Sequence, residues 1–505
     1  MRTIFPVVAI GMVFGCSNGG AGETVSDGNA PAETPGSGGV ASGEDGTDGS
    51  QGGSDGANPW DSELQTAFQI APGEATLLGV TSDGWAVFRG AEALLAASTD
   101  SDAEVQTLTD APGNVLIRGN VVFNWANVDW TVGIGDLSIW SAEGGAHEIG
   151  STPFVEGLVA ASPSGASLVY PANTTETTTD LMISPGDFSA PEVLIPSLGL
   201  GSETTCGASI GFVGERLFVG YCSEGSRAAR IERFEQVDGV WESTLIAEDA
   251  LPAWSADESG ERVFYQSSQY SAYVAEAGEA TLVDAGVGRG QMVSDGSAVL
   301  YSVGDQLRRT DYPAINPVPV VTTGYKQPVG FSSTFELALY STTVTYEEGT
   351  RQDLLMVRTF GFNSKPIELV GEPVAALGRS QVTADGNFVF FLTEMGPSGA
   401  TLNIVGNDGS EMLALPNVSE VVAANGSTLV FTDNPSDPDQ YPLVADLKVL
   451  NLAQETEPRT VEERILSTRN FYLDAAREHV IYTRSGVDRD AEAEDSKGVF
   501  VREVH

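Results

Sequence analysis

The stretch Met292–Ser302, MVSDGSAVLYS, runs from an apolar approach through Asp295-Gly296 into an alternating segment that closes on Tyr301. Glycine supplies positive φ at no steric cost and aspartate accepts local backbone hydrogen bonds, so Asp-Gly between two apolar runs is the signal of a tight turn between strands. Related words stand at 80–88 (VTSDGWAVF), 161–170 (ASPSGASLVY), 382–391 (VTADGNFVFF) and 423–431 (AANGSTLVF). Strand-like runs of this kind centre near Val87, Val122, Leu168, Phe218, Val263, Val299, Leu337, Val389, Leu429 and Val480. Their mean step is about 44 residues, the length of a four-stranded propeller blade. Around the opening stretch one repeat parses fully. GRGQMVS is a first strand, SAVLYSV a core-facing second, DQLRRTDY a third and NPVPVVT an outer fourth, where proline is tolerated.

These words resemble the WD40-like propeller repeats of the TolB family. The resemblance is carried by WSADESGERVFY (254–265), SDGSAVLY (294–301) and TADGNFVFF (383–391), and it extends more loosely over most of 72–505. It implies an all-β fold, a β-propeller of four-stranded antiparallel blades, roughly eight to ten in number. Several copies lack the aspartate: Ser164 replaces it in ASPSGASLVY, and SSTFELALY and GFVGERLFVGY have none. A residue replaced from copy to copy serves the turn, not a shared chemistry. The last repeat ends one strand short, and 62–72 (SELQTAFQIAP) is one strand too many. The N-terminal strand is therefore expected beside the C-terminal blade, removing an exposed edge. Such repeats also precede the hydrolase domain of prolyl-oligopeptidase-like enzymes; no such domain is expected here, because the sequence stops with its last blade.

The first residues, MRTIFPVVAIGMVFGCSNGG, pair one positive charge with an apolar run too short to span a bilayer. VFGC (Val13–Cys16) resembles the bacterial lipobox, which implies a signal peptide over 1–15 and lipidation of Cys16. Ser17 after it is compatible with export to the outer membrane, facing the periplasm or the surface. Residues 17–59 hold 13 Gly and seven acidic residues, with no Lys, Arg or aromatic residue. Such a segment has little apolar surface to offset the entropy of folding, so 16–59 reads as the lipidated cysteine and a disordered linker reaching about 35 Å. Residues 60–505 read as the propeller. Beyond Cys16 the only cysteines are Cys206 and Cys222, flanking a strand-turn-strand word. A three-residue loop at Val213-Gly214-Glu215 would set them opposite each other. They are read as a disulfide in an oxidising compartment, the alternative being two unpaired thiols.

The formal net charge of -45 argues against nucleic acid or an anionic membrane surface as partner. Membrane contact is expected only through the N-terminal lipid. The three histidines, His147, His479 and His505, leave no basis for a nucleophile–histidine pair, and no zinc spacing, phosphate loop or nucleophile elbow occurs. No catalytic residue is assigned. Two acidic loops, NPSDPDQY (434–441) and DRDAEAED (488–495), cluster hard oxygen ligands, so Asp437, Asp439, Asp488 and Asp490 are the candidate calcium ligands, the alternative being solvated acidic loops. No other cofactor is implied. In NWANVDW, Trp125 and Trp130 beside Asn124, Asn127 and Asp129 are candidates for ligand recognition, the alternative being packing between blades. The functional expectation is an exported lipoprotein presenting a propeller as a binding or scaffold module for a protein, peptide or envelope polymer. The contrasting reading is a carbohydrate-active propeller enzyme using carboxylates of the central pore.

Overall fold

The computed structural model describes residues 67–503, except 73–74, 100–104, 200–207, 223–227, 322–324, 332–336, 346–350, 360–366, 369–380, 384, 397–398, 408–409, 425, 436–443, 456, 467–470, 475–476 and 485–497. Within 321–380 the strands are described by their backbone alone. Cys16, the linker, Cys206, Asp437, Asp439, Asp488 and Asp490 lie outside the described residues.

The unit around the opening stretch has strands Val287–Met292, Ala298–Val303, Gln306–Asp311 and Asn316–Val321, paired in chain order and antiparallel throughout. Pro317 and Pro319 sit on the outermost strand, which pairs on one side only, so their missing N–H groups break no ladder. The second strand is buried on both faces. Val299 and Tyr301 pack with Phe264 and Val274 of the preceding unit, while Ala298 and Leu300 join Val293 on the other face. This is why the word is a continuous apolar run rather than a half-polar alternation.

The same four-strand order recurs along the chain. Five sheets of four strands stand alone, at 76–109, 114–153, 160–199, 287–321 and 325–368. A seven-stranded sheet comprises two units joined through the 17-residue strand Val240–Ala256. The first part of this strand pairs with Ala229–Val237 as a fourth strand; its end pairs with Arg262–Ser267 as the next unit's first. An eleven-stranded sheet comprises three units, the first two sharing Glu411–Ala423 in the same way. The described residues thus form ten four-stranded antiparallel units, numbered 1 to 10 below. Units of this length and order have the form of propeller blades. AEALLAAS, which has some helical character, contributes the strand Leu94–Ser98. The only helical turn among the described residues is Glu156–Leu158.

The cores lie between units. Val121, Phe123 and Trp125 of unit 2 pack on Val159, Leu168 and Tyr170 of unit 3, while Val122 of the same strand packs on Val87 and Leu94 of unit 1. Each such fully buried side chain contributes about 1.5–3 kcal/mol relative to exposure. The fourth strand of unit 10 comes from the other end of the chain: Phe68–Pro72 pairs antiparallel with Gly498–Glu503. Ile70 and Ala71 share a core with Leu77 and Phe88 of unit 1 and with Ile481 and Val499 of unit 10. The expectation that the N-terminal strand lies beside the last unit holds, over Phe68–Pro72.

Two local features differ from the sequence reading. The hairpin at 209–221 turns through two residues, Gly214 and Glu215, with Val213 opposite Arg216. Gly214 takes φ +57, which closes the shorter turn. Cys222 is disulfide-bonded, and its partner is not among the described residues. The outer strands also carry left-handed residues at register shifts, among them Ser197 (φ +53), Asp249 (φ +58), Asn417 (φ +62) and Arg464 (φ +54). At two of them a third-strand carboxylate takes up the freed N–H: Ser197 N donates to Asp180 Oδ1 at 2.9 Å, and Arg464 N to Asp446 Oδ1 at 3.1 Å.

Candidate functional site

Each unit has two ends. The turns joining its first to second strand and its third to fourth lie at one end; the turn joining second to third lies at the other. The Asp-Gly words occupy the first end. There the N–H at the glycine position donates to the carbonyl three residues back: Gly84 to Thr81, Gly165 to Ser162, Gly260 to Asp257, Gly296 to Val293 and Gly386 to Thr383. In the last unit Arg477, at φ +58, makes the same bond to Asp474. The residue giving that carbonyl also caps the turn with its side chain. Thr81 Oγ1 accepts from Trp85 N at 2.9 Å, Asp257 Oδ1 from Arg262 N at 3.0 Å and Thr383 Oγ1 from Phe388 N at 3.1 Å. Thr81, Ser162, Asp257 and Thr383 are buried polar residues satisfied in this way. In MVSDGSAVLYS the equivalent residue is Val293, whose side chain has no acceptor, and Asp295 accepts from Ser297, whose N–H lies at 2.9 Å.

The turns also bond to one another. Ser82 N donates to Gly119 O of the next unit at 2.8 Å, and Glu258 N to Ser294 O at 2.7 Å. An open groove of about 490 Å³ lies at this end between units 5 and 6, beside Asp257, Glu276 and Asp295. Arg262, Glu276 and Asp295 are engaged internally. Arg262 donates to Glu276 at 3.0 Å and to Gly296 O at 3.1 Å, and its guanidinium lies 5.2 Å from the Tyr312 ring centre. The Arg262 and Tyr312 hydrogen bonds hold the Glu276 carboxyl below its ordinary value, and the Ser297 bonds do the same for Asp295. Both carboxylates are ionised at neutral pH and accept hydrogen bonds; neither is poised as a general acid.

The tyrosine that ends the word ties adjacent units together. Tyr301 OH donates to Asp284 Oδ2 at 3.0 Å, on the last strand of unit 5, and Arg308 reaches the same oxygen at 2.8 Å. Burial pushes the Tyr301 phenol up to about 12. The last unit repeats the arrangement. Tyr482 OH donates to Glu462 of unit 9 at 2.8 Å, and Arg484 bonds the same carboxylate. Burial likewise raises Tyr482.

The other end of unit 2 carries NWANVDW, and the two tryptophans separate there. Trp125 is fully buried, and its Nε1 donates to Thr152 Oγ1 at 3.1 Å. Its candidacy as a ligand contact is corrected: strand alternation turns it into the core between units 2 and 3. Trp130 is 70% exposed. It sits on the turn between the second and third strands, with its ring edge-on to Phe154 at 5.5 Å. Val132 in the same turn and Val155, next in sequence to Phe154, are also exposed. The turn is fixed by its own bonds. Asp129 Oδ1 accepts from Thr131 N at 2.9 Å and from Thr131 Oγ1 at 2.6 Å, Gly133 N donates to Asp129 O at 2.7 Å, and Phe154 N to Gly133 O at 2.7 Å. The Thr131 bonds hold the Asp129 carboxyl below its ordinary value. At Asp136 the bonds from Asn127 and Ser151 act in the same direction.

Both described histidines are held in structural contacts. His147 stacks on Phe188 at 4.1 Å, and His479 Nδ1 lies 3.0 Å from Asp474 Oδ2 within its turn. No group of three or more His, Cys, Asp or Glu able to hold a metal occurs among the described residues.

The chain is an all-β protein of four-stranded, blade-like units. No family model matches it, and no curated protein matches it in sequence. Among solved structures it is similar to a eukaryotic initiation factor, at 11% identity and TM-score 0.46, over 70% of this chain and 89% of that one. It is also similar to the tricorn protease, at 11% identity and TM-score 0.24, over 85% of this chain and 51% of the other. A prolyl endopeptidase matches at 11% identity and TM-score 0.32, over 63% of this chain and 50% of the other. The chain spans about half the length of the two peptidase structures. Similarity at these levels carries no functional argument, and the fold assignment rests on the pairing of the strands.

Proposed function

We propose that the ten units close into one propeller ring, and that the ring is the binding module of an exported protein anchored through lipid on Cys16. Closure is supported by the core that units 1 and 10 share and by the strand Phe68–Pro72 that completes unit 10. The partner is a protein, peptide or envelope polymer, and binding uses the end of the sheets that carries Trp130. The observation that carries this reading is the exposed Trp130–Val132–Val155 surface on a turn fixed by its own hydrogen bonds. A large aromatic held rigid in water loses little entropy on binding and contributes disproportionately when covered.

The carbohydrate-active alternative would require two or three carboxylates converging from the inner strands. Counting only Ala250–Ala256 and Val418–Ala423 of the two shared strands, the first strands of the ten units contain one acidic residue, Glu420. Calcium at Asp437, Asp439, Asp488 and Asp490 and a Cys206–Cys222 bridge belong to the same proposal. The bridge is consistent with the disulfide at Cys222. The direct test is chemical cross-linking in intact envelopes, comparing the parent with Trp130→Ala. A specific adduct lost in the variant is expected; an adduct pattern unchanged by the substitution overturns the assignment of this surface. Cys16→Ala should release the protein from the membrane fraction, and retention would count against the anchor.

A further inference from the structure

The Trp130 surface has a charge pattern of its own, and that pattern selects among partners. Asp129 and Asp136, exposed on either side of the turn, hold fixed negative charge through hydrogen bonds donated to them by Thr131, Asn127 and Ser151. The exposed indole supplies an open π face, which attracts cations by its quadrupole. Val132 and Val155 extend the apolar area. The chain as a whole is strongly acidic, at -45. An acidic or phosphate-bearing partner is repelled by this surface, and a purely apolar one leaves the carboxylates uncovered.

The surface also lies at a defined end of the sheets. Phe68 pairs with Val501 and Pro72 with Gly498, so the chain enters the described region at the Asp-Gly end of the sheets, opposite the end that carries Trp130.

We propose that the Asp129–Gly133 turn docks a basic, apolar protein segment. An arginine or lysine lies over the indole of Trp130 with its charge toward Asp129 and Asp136, and its apolar neighbours cover Val132 and Val155. This rests on the proposed binding function and specifies its partner.

The test uses two synthetic amphipathic peptides of one apolar pattern, one with arginine and one with glutamate at the polar positions. Binding to the soluble protein from residue 17 onward is measured at two salt concentrations, with anionic vesicles as a third probe. The arginine peptide is expected to bind and the glutamate peptide and vesicles not to. Trp130→Ala should weaken binding about thirtyfold, the size of a buried aromatic anchor. Asp129→Asn keeps the turn acceptor and removes the charge, so it should weaken binding severalfold and flatten the salt dependence. Equal binding of both peptides, still lost in Trp130→Ala, overturns the charge selection and leaves the docking function standing. Arginine-peptide binding unchanged in Trp130→Ala overturns the proposed site, as does binding to none of the probes. Vesicle binding abolished by Trp130→Ala replaces the protein segment with a lipid surface.

Discussion

The two ends of unit 2 use the same kinds of residue to opposite effect. At the Asp-Gly end the polar groups are consumed by the turn and by the next unit, as in Ser82 N to Gly119 O. At the other end Asp129 rigidifies a turn that displays Trp130 to solvent. The first end recurs along the chain with the same bonds, whereas the second varies: unit 2 displays Trp130 there and unit 5 displays Tyr270, 57% exposed. What every copy repeats holds the units together; what differs from copy to copy is free to meet something else.

Four measurements test this contrast, beginning with the largest effect. Removing residues 68–72 leaves Gly498–Glu503 as an open edge and uncovers Leu77 and Val499. Aggregation and a markedly lower melting temperature are expected by light scattering and calorimetry. A monomer melting with the parent would remove the argument for a shared core between first and last units. Next, Phe431→Ala opens a cavity between units 8 and 9 and should cost about 3–5 kcal/mol in denaturant unfolding. A loss below about 1 kcal/mol would mean that the inter-unit cores are not where stability lies.

A pH series sharpens the turn end. Burial raises the Asp385 carboxyl, but hydrogen bonds from Ser427, Thr383 and Asn387 outweigh it and hold the group below its ordinary value. A depressed carboxylate stabilises the fold above its unfolded pKa and loses that contribution as pH falls through the folded value. Asp385→Ala should cost less than about 1 kcal/mol at neutral pH, since solvent screens this exposed group, and the gap should close as pH falls through the depressed folded value. A gap that does not change with pH would show that the charged form contributes nothing. The smallest effect has the opposite sign. Val293→Thr supplies the hydroxyl that Thr81 and Thr383 use elsewhere, and should stabilise by about 0.5–1 kcal/mol. Destabilisation would show that unit 6 cannot accommodate the cap.

The architecture was legible because its signals are local and repeated. The turn words, the proline-bearing outer strand and the spare N-terminal strand all match the observed pairing. The capping residue was not seen, because Thr81, Asp257 and Thr383 stand two places before the eye-catching Asp or Ser and share only an oxygen. Trp125 and Trp130 could not be separated by type. Their difference follows from where the second strand of unit 2 ends, at Asp129. Left-handed residues such as Ser197 and Arg464 left no sequence signal, because neither is glycine or asparagine and the strain is met by a carboxylate on the neighbouring strand. The surface beside Trp130 needed three dimensions, because Val155 reaches it from 25 positions further along the chain.

The long strand Val240–Ala256 closes one unit and opens the next without a break. Its consequence is kinetic. Opening either unit removes one partner from this shared segment, so the backbone amides of units 4 and 5 should exchange as one block, and those of units 8 and 9 likewise through Glu411–Ala423.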